Sequence, residues 1–176
     1  DFTDCGHCGS IALVTETIDQ IDRGQFVRDY DTNYWQDEQI AAKDRAWGSS
    51  LARAAEAIYL TRRPVHRFID IGSGDGSLLE SLSTHLPNFS GQLFGVEMFP
   101  PAKRTSHPGY VHASLADMNG SYDTGVCIEV IEHLTPKMLD GLLAALSLKS
   151  EPDALFIFNT GLGDFVRFED RSYIDP

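Results

Sequence analysis

The sequence predicts an α/β fold, with a doubly wound, mainly parallel sheet and helices on both faces. The apolar segment 68–71 ends at three alternate glycines, Gly72, Gly74 and Gly76, before a leucine-rich helical period begins. Further short apolar segments alternate with helical stretches after this point. A length of 176 residues suits one domain with a sizeable core. Strands separated by helices imply parallel pairing with right-handed crossovers.

The individual elements follow from the same patterns. Residues 11–37 are polar with scattered aromatic side chains, and we expect short strands or loops there. A long helix is predicted over residues 38–60, because apolar residues from Ile40 to Ile58 recur at near-helical spacing and Pro64 follows. Downstream, helices are predicted over residues 78–86 and 136–148, and strands over residues 68–71, 92–96, 110–113, 124–128 and 155–159.

Charge around the glycine turn indicates which ligand it suits. Asp70 and Asp75 flank the turn where a dinucleotide would place its pyrophosphate, and position 77 is Ser instead of the third Gly of that fingerprint. Carboxylates repel phosphate and attract a cation. S-adenosylmethionine carries an ammonium and a sulfonium group and no phosphate.

The stretch resembles motif I of the class I S-adenosylmethionine-dependent methyltransferases. The resemblance implies a Rossmann-like fold and S-adenosyl-L-methionine as the cofactor. It also implies cofactor contacts from Asp70, Gly72, Ser73, Gly74 and Gly76.

Glu97 ends the second predicted strand of the sheet, 25 residues after Gly72. An acidic residue at this place can accept hydrogen bonds from both hydroxyls of a ribose. In the family, the matching residue binds the ribose of adenosine, and the resemblance adds Met98 beside it. After the third strand, the resemblance places the adenine beside Ser114 and Leu115, although Ser114 stands where the family often has Asp.

The segment after the fourth strand resembles the part of the family that lies beside the methionine group of the cofactor. It implies contacts from Ile128 and Glu129. If the segment is helical beyond Val130, then Glu129, Glu132 and His133 share one face. Histidine exchanges protons near neutral pH, so His133 is the candidate catalytic base. Alternatively these three residues bind a divalent metal, as in the small-RNA 3'-end ribose methyltransferases, or Glu132 and His133 only fix the local turn.

The three cysteines raise two questions: whether the chain binds zinc and whether its thiols are reduced. Cys5 and Cys8 form a knuckle that offers two thiolates to zinc, but a structural zinc site needs four ligands and no second Cys pair follows. His7 would be a third ligand in an awkward place between the two thiols, or else zinc would draw on a first Cys pair upstream of Asp1, in a longer protein. We expect this chain to be part of such a protein because it begins without Met. The other reading is a reduced surface dithiol, consistent with a cytoplasmic location. Cys127 lies in an apolar run and is expected to be buried.

The net charge of −12 opposes nucleic acid and anionic membranes as partners. No apolar run approaches the roughly 20 residues of a membrane span. One dense basic cluster interrupts this acidity, and we expect it to be a solvated helix end. Its members are Arg62, Arg63, His66 and Arg67.

We divide the chain into an N-terminal segment, residues 1–37, and a methyltransferase domain, residues 38–176, which we expect to lack the last strands of the family. Residues 30–35 either form a lid over the pocket or pack on the core edge. The predicted function is methyl transfer to a small-molecule acceptor, such as a sugar or a natural-product intermediate. The alternatives are metal-dependent methylation of an RNA 3'-end ribose, a non-catalytic cofactor-binding module, and an NAD-dependent oxidoreductase, which Asp75 disfavours. The oligomeric state stays open.

Overall fold

The computed structural model of the protein describes residues 2–9, 11–25, 32–89 and 91–160. Within these ranges, the strands are β1 (Phe2–Asp4), β2 (Ile11–Leu13), β3 (Arg67–Ile71), β4 (Gln92–Glu97), β5 (Tyr110–His112), β6 (Tyr122–Ile128) and β7 (Ser150–Asn159). The α-helices are α1 (Thr15–Asp22), α2 (Thr32–Ala46), α3 (Ser49–Leu60), α4 (Ser77–His85) and α5 (Pro136–Lys149). Single 3-10 turns cover Leu115–Asp117 and Ile131–His133. None of the helices in the described ranges combines the length and the apolar character that crossing a bilayer requires.

β3 is the central strand of a five-stranded sheet in the order β5-β4-β3-β6-β7. It pairs in parallel with β4 on one side and with β6 on the other, so that Phe68 lies opposite both Leu93 and Thr124. The outer strands β5 and β7 are also parallel to their neighbours. The strand order reverses at β3, and doubly wound sheets bind their ligands at such a point. The predicted parallel α/β fold is confirmed.

Helices cover both faces of this sheet, because successive residues of a strand point to opposite sides. Phe68 and Val126 are buried in a cluster with residues of α3 and α4. Ile69 and Cys127, one position further along each strand, belong to the cluster on the other face, with residues of α5. Cys127 is buried as predicted, and burial raises the pKa of its thiol to about 12.

The prediction of one helix over residues 38–60 is wrong, because α2 and α3 are separated at Trp47 and Gly48. Gly48 has φ −133° and ψ −104°, outside the helical region. Glycine weakens a helix more than any residue except proline, so the chain can change direction here at little cost. As a result, Ile40 does not continue the apolar stripe of α3 and is 68% exposed.

Two further segments differ from the predictions. Residues 11–37 contain more helix than expected, since β2 leads into α1 and α2 begins at Thr32. β7 begins at Ser150 instead of residue 155, because α5 passes into the strand without a loop. Phe26, Tyr30 and Asp31 lie outside the described residues. The division of the chain at residue 37 stays a prediction.

The basic cluster is bound to the protein more tightly than a solvated helix end would be. The Arg63 guanidinium lies 3.6 Å from the carboxylate of Asp123, which is itself buried. Arg67 lies over the Phe94 ring, 4.2 Å from its centroid, and donates a hydrogen bond of 2.8 Å to the Asn119 carbonyl. Our prediction was therefore wrong for Arg63 and Arg67, which hold the amino-terminal end of the sheet together.

Candidate active site

The loop between β3 and α4 is formed by three glycines in the left-handed region, with φ of +73°, +54° and +82° at Gly72, Gly74 and Gly76. L-residues with side chains rarely adopt such values, and this confirms the predicted tight turn. A Cβ on Gly72 would lie 2.3 Å from Cγ2 of Val130, and one on Gly76 would lie 2.1 Å from Cγ2 of Thr105. Both glycines are therefore required by space as well as by conformation.

Asp70 lies at the carboxyl end of β3 beneath this loop and is 4% exposed. Its carboxylate accepts a hydrogen bond of 2.8 Å from the Ser73 hydroxyl. Burial raises the pKa of Asp70 from its ordinary 3.8 to about 7; the Glu97 charge adds to this effect, while the Ser73 hydrogen bond opposes it. Ser73 in turn packs against Gly95, where an added Cβ would lie 2.5 Å from the Ser73 oxygen.

Glu97 lies at the carboxyl end of β4, the strand next to β3. One oxygen of its carboxylate accepts a hydrogen bond of 3.0 Å from the Gly74 N–H, and the other accepts one of 2.8 Å from the Phe99 N–H. A carboxylate has about four acceptor positions, so each oxygen can accept a further donor. The Tyr110 hydroxyl donates to the Gly74 carbonyl at 2.5 Å, and burial raises the pKa of that tyrosine. Hydrogen bonds thus join Glu97, Tyr110 and the glycine loop into one connected unit.

The residues predicted to surround an adenosine lie beside Glu97. Met98 is 52% exposed, whereas Leu115 is buried. The Ser114 hydroxyl donates to the Asp117 carboxylate at 2.6 Å and caps the 3-10 turn that follows. Ser114, which stands where the family often has Asp, therefore donates its hydroxyl hydrogen bond to Asp117.

Glu129 follows β6 with φ +53°, an uncommon value for a residue with a side chain. Its carboxylate accepts a hydrogen bond of 2.8 Å from the Asn159 amide at the end of β7. Partial burial raises the pKa of Glu129, and the adjacent Glu132 carboxylate raises it further. The expected helix beyond Val130 is only a 3-10 turn, Ile131–His133. Because this turn is not an α-helix, Glu129, Glu132 and His133 do not share the helical face on which the metal alternative was based.

Metal ligands do not cluster in the ranges that the structure describes. No three His, Cys, Asp or Glu side chains there are placed to hold a metal ion. Glu129, Glu132 and His133 therefore do not form the metal site that the RNA-ribose alternative requires. Cys5 and Cys8 are exposed thiols in a turn closed by a hydrogen bond of 2.7 Å from the Gly9 N–H to the Cys5 carbonyl.

A cavity of about 1030 Å³ opens at the carboxyl edge of the sheet. Of the predicted site residues, all except Gly76 line it: Asp70, Gly72, Ser73, Gly74, Glu97, Met98, Ser114, Leu115, Ile128, Glu129 and His133. Gly76 instead is the N-cap residue of α4, at the end of the loop. The ends of β3, β4 and β6 are therefore brought together as the sequence predicts.

Residues outside the predicted site set also line this cavity. Tyr34 and Trp35 belong to the segment predicted either to form a lid or to pack on the core edge. They lie in the first turn of α2, and an added Cβ on Gly74 would lie 4.0 Å from the Trp35 ring. Arg45, further along α2, is the one Lys or Arg among the described lining residues and pairs with Glu38. Asn159 orients Glu129 from β7. No motif marks these residues: Asn159 and Trp35 contact residues 30 or more positions away, and Arg45 contacts Glu38 at a spacing that is common in helices.

Sheet order, glycine loop and acidic strand ends together define a doubly wound domain whose cavity opens at the switch point of the sheet, where such domains bind their ligands. The family described as a methyltransferase domain matches residues 35–174. The chain belongs to this methyltransferase family. No curated protein matches its sequence significantly.

Solved structures share this fold at low sequence identity. The sugar N-methyltransferase KedS8 from Streptoalloteichus is 15% identical, with a TM-score of 0.56 over 72% of this chain and 53% of KedS8. CalS10, an amino pentose methyltransferase from Micromonospora echinaspora, is 20% identical, with a TM-score of 0.54 over 78% of this chain and 59% of CalS10. The 1,6-didemethyltoxoflavin-N1-methyltransferase of Burkholderia thailandensis is 14% identical, with a TM-score of 0.55 over 89% of this chain and 67% of that enzyme. The chain thus spans between half and two thirds of the length of these proteins.

Proposed function

We propose that this chain is the catalytic domain of an S-adenosylmethionine-dependent methyltransferase that acts on a small molecule. The observation that carries the proposal is that Asp70, Glu97 and Glu129 end three strands and line one cavity around the glycine loop. Such a cavity attracts a cationic nucleoside. Structures of this fold include one described with S-adenosylmethionine bound, CalS10.

The amino-terminal end of α4 argues against a dinucleotide. In dinucleotide-binding domains the first amides of the corresponding helix bind the pyrophosphate. Here the Ser77 N–H donates to the Asp75 carboxylate at 2.9 Å. A phosphate would have to displace this carboxylate and then remain beside it, so the NAD-dependent alternative is disfavoured by geometry as well as by charge.

Each part of the cofactor has a matching group in the cavity. Glu97 and Met98 would hold the ribose, and Ser114 and Leu115 the adenine. Ile128 and Glu129 would lie beside the methionine group. The loop would support the cofactor through Asp70, Gly72, Ser73 and Gly74, which line the cavity, while Gly76, which does not line it, would act by shaping the loop. When bound, S-adenosylmethionine supplies an electrophilic methyl group on a positively charged sulfur.

Methyl transfer itself requires no covalent bond between the protein and either reactant. A lone pair of the acceptor forms the bond to the methyl carbon, the carbon–sulfur bond breaks, and its electron pair stays on sulfur as S-adenosylhomocysteine leaves. The acceptor proton passes to a base, for which His133 is our candidate. The other residues of the cavity position the acceptor in line with the methyl group, which is the larger effect in such reactions.

The acceptor class has support from charge and from the fold. A net charge of −12 disfavours nucleic acid. Structures with this fold are described as methyltransferases of a sugar, of an amino pentose and of 1,6-didemethyltoxoflavin. We therefore propose a sugar or a natural-product intermediate as the acceptor, and a cytoplasmic location remains our expectation from the cysteine content.

Calorimetric titration with S-adenosylhomocysteine and with NAD⁺ tests the cofactor. We expect binding of the first and none of the second, and the reverse result would overturn the proposal. Release of S-adenosylhomocysteine is then measured over a panel of small amines and alcohols. The His133→Gln variant should lose turnover while keeping its affinity for S-adenosylhomocysteine, and His85→Gln, on α4 outside the cavity, serves as its control. Cofactor binding without turnover on any acceptor would favour the non-catalytic binding module.

A further inference from the structure

Helix α1 presents an apolar face that the described parts of the chain leave only half-buried. Ile18 and Ile21 are three positions apart and therefore lie on one side of this eight-residue helix. Both line the cavity, and no residue of α1 is buried. A helix with such a face gains stability only when that face is covered. In this molecule the side chains of Ile18 and Ile21 are directed at the cavity.

Apolar side chains of other elements line the same cavity. Met138 and Leu142, four positions apart on α5, contribute to its wall, and Met138 is 37% exposed. Phe2 and Leu13 of the hairpin β1–β2 also contribute. We call this set of six residues the apolar clamp: Phe2, Leu13, Ile18, Ile21, Met138 and Leu142.

Hydrogen bonds hold the two helices of the clamp in place. The Thr135 hydroxyl donates to the Asp22 carboxylate at 2.6 Å, at the last residue of α1. The same oxygen accepts a hydrogen bond of 3.2 Å from the Met138 N–H and so caps α5. Lys137 adds a contact of 3.4 Å to the Asp22 carbonyl. The clamp is therefore preformed, which lowers the entropic cost of binding a ligand.

The cavity has room for two ligands of different polarity. At about 1030 Å³ it lies at the upper end of the roughly 300–1000 Å³ that is usual for a single pocket. Asp70, Glu97 and Glu129 make its strand-end half polar, and our proposed function assigns that half to the cofactor. The apolar clamp makes up much of the apolar lining that remains for the acceptor. The rest of the lining includes the rings of Tyr34 and Trp35 and the polar side chains of Glu38, Arg45, Glu132 and His133.

Resting on that proposed function, we propose that the acceptor has an apolar body, an aromatic or fused-ring system, and that this body binds in the apolar clamp. A bare monosaccharide would place hydroxyls against side chains that offer no hydrogen bonds, and that is unfavourable. The proposal narrows the acceptor from a sugar or a natural-product intermediate to a molecule of that kind that carries an apolar aromatic or fused-ring system. In this proposal the selectivity of the acceptor site comes largely from the clamp residues within 2–25. These residues precede the part of the chain that matches the family.

The test compares 2-naphthol with glucosamine as probes of protein saturated with S-adenosylhomocysteine, by calorimetry and saturation-transfer NMR. We expect 2-naphthol to bind at least tenfold more tightly than glucosamine. The variant Ile18→Asn/Ile21→Asn should weaken 2-naphthol binding at least tenfold and leave the S-adenosylhomocysteine affinity unchanged. Ile40→Asn is the matched control, since this exposed isoleucine does not line the cavity.

Equal affinity for the two probes, or 2-naphthol binding that survives the double substitution, would overturn the proposal. Circular dichroism checks that each variant is folded. If the double variant unfolds, Met138→Ala on the opposite helix provides the same comparison. Failure of S-adenosylhomocysteine to bind the wild-type protein would instead count against the proposed function, and the probe titrations without it would still decide on the clamp.

Discussion

Replacing Gly72 with alanine adds a methyl group where the glycine loop has no space for one. The added Cβ would lie 2.3 Å from Cγ2 of Val130 but 3.5 Å from its Cβ and Cγ1. The conflict is therefore with a single methyl group. Val130→Ala removes that group, and the shortest distance from the added Cβ to residue 130 then becomes 3.5 Å, an ordinary van der Waals contact.

The expected energies follow from these distances. Gly72→Ala alone should cost about 1–2 kcal/mol for the left-handed conformation at φ +73° and about 1–3 kcal/mol for overpacking. Val130→Ala alone removes two partly buried carbons and should cost about 1 kcal/mol. In the double variant the overpacking disappears while the other two costs remain. The two substitutions should therefore be coupled favourably by about 1–3 kcal/mol.

Urea denaturation of the wild type, both single variants and the double variant measures this coupling. Gly141→Ala is the control for the change itself, because an added Cβ there meets nothing within 4 Å and the site lies inside α5. It should stabilise the protein by about 0.5–1 kcal/mol and add independently to Val130→Ala. Strict additivity of Gly72→Ala and Val130→Ala would refute the proposed steric origin of the glycine.

Three other predictions concern charge, binding and the clamp. The pKa of Asp70 is raised to about 7, so the native state holds this proton more tightly than the unfolded chain, and stability falls by at most roughly 4 kcal/mol as pH rises from about 4 through 7. Asp70→Asn should thus match the wild type only near pH 3 and exceed its stability by a growing margin above about pH 4, most of all at about pH 8, in urea titrations; equal stability at pH 3 and pH 8 would contradict this. Glu97→Gln should weaken S-adenosylhomocysteine binding roughly 10- to 100-fold by calorimetry, while the exposed Glu80→Gln should not. Thr135→Val should lower the free energy of unfolding by about 1–2 kcal/mol, and Thr135→Ser, which keeps the hydroxyl, should restore it.

The sheet and much of the cavity lining could be predicted because local patterns encode them. The apolar run before Gly72 specifies β3, and parallel strands bring their carboxyl ends to one edge. Asp70, Glu97 and Glu129 could therefore be placed together without knowledge of their contacts. Gly48 was also a visible signal for a helix break, but the apolar period on both sides of it suggested continuity.

Other features depend on contacts that no local pattern reveals. Asp22 binds Thr135 across 113 positions of sequence, and Asn159 binds Glu129 across 30. The short helix α1 carries only Ile18 and Ile21 in a polar stretch, too few to indicate a helix. Their role emerges only when α5 supplies the opposite wall of the cavity.

The pairing of β3 with β6 sets a limit on when the site can form during synthesis. Phe68 lies opposite Thr124, and the strand next to it in sequence, β4, covers only one flank of β3. A nascent chain emerging from the ribosome can complete the glycine loop early, but Glu129 joins it only after β6 has been released. Until then one edge of β3 stays open to wrong partners, so slowed translation between residues 97 and 129 should increase aggregation of the nascent protein.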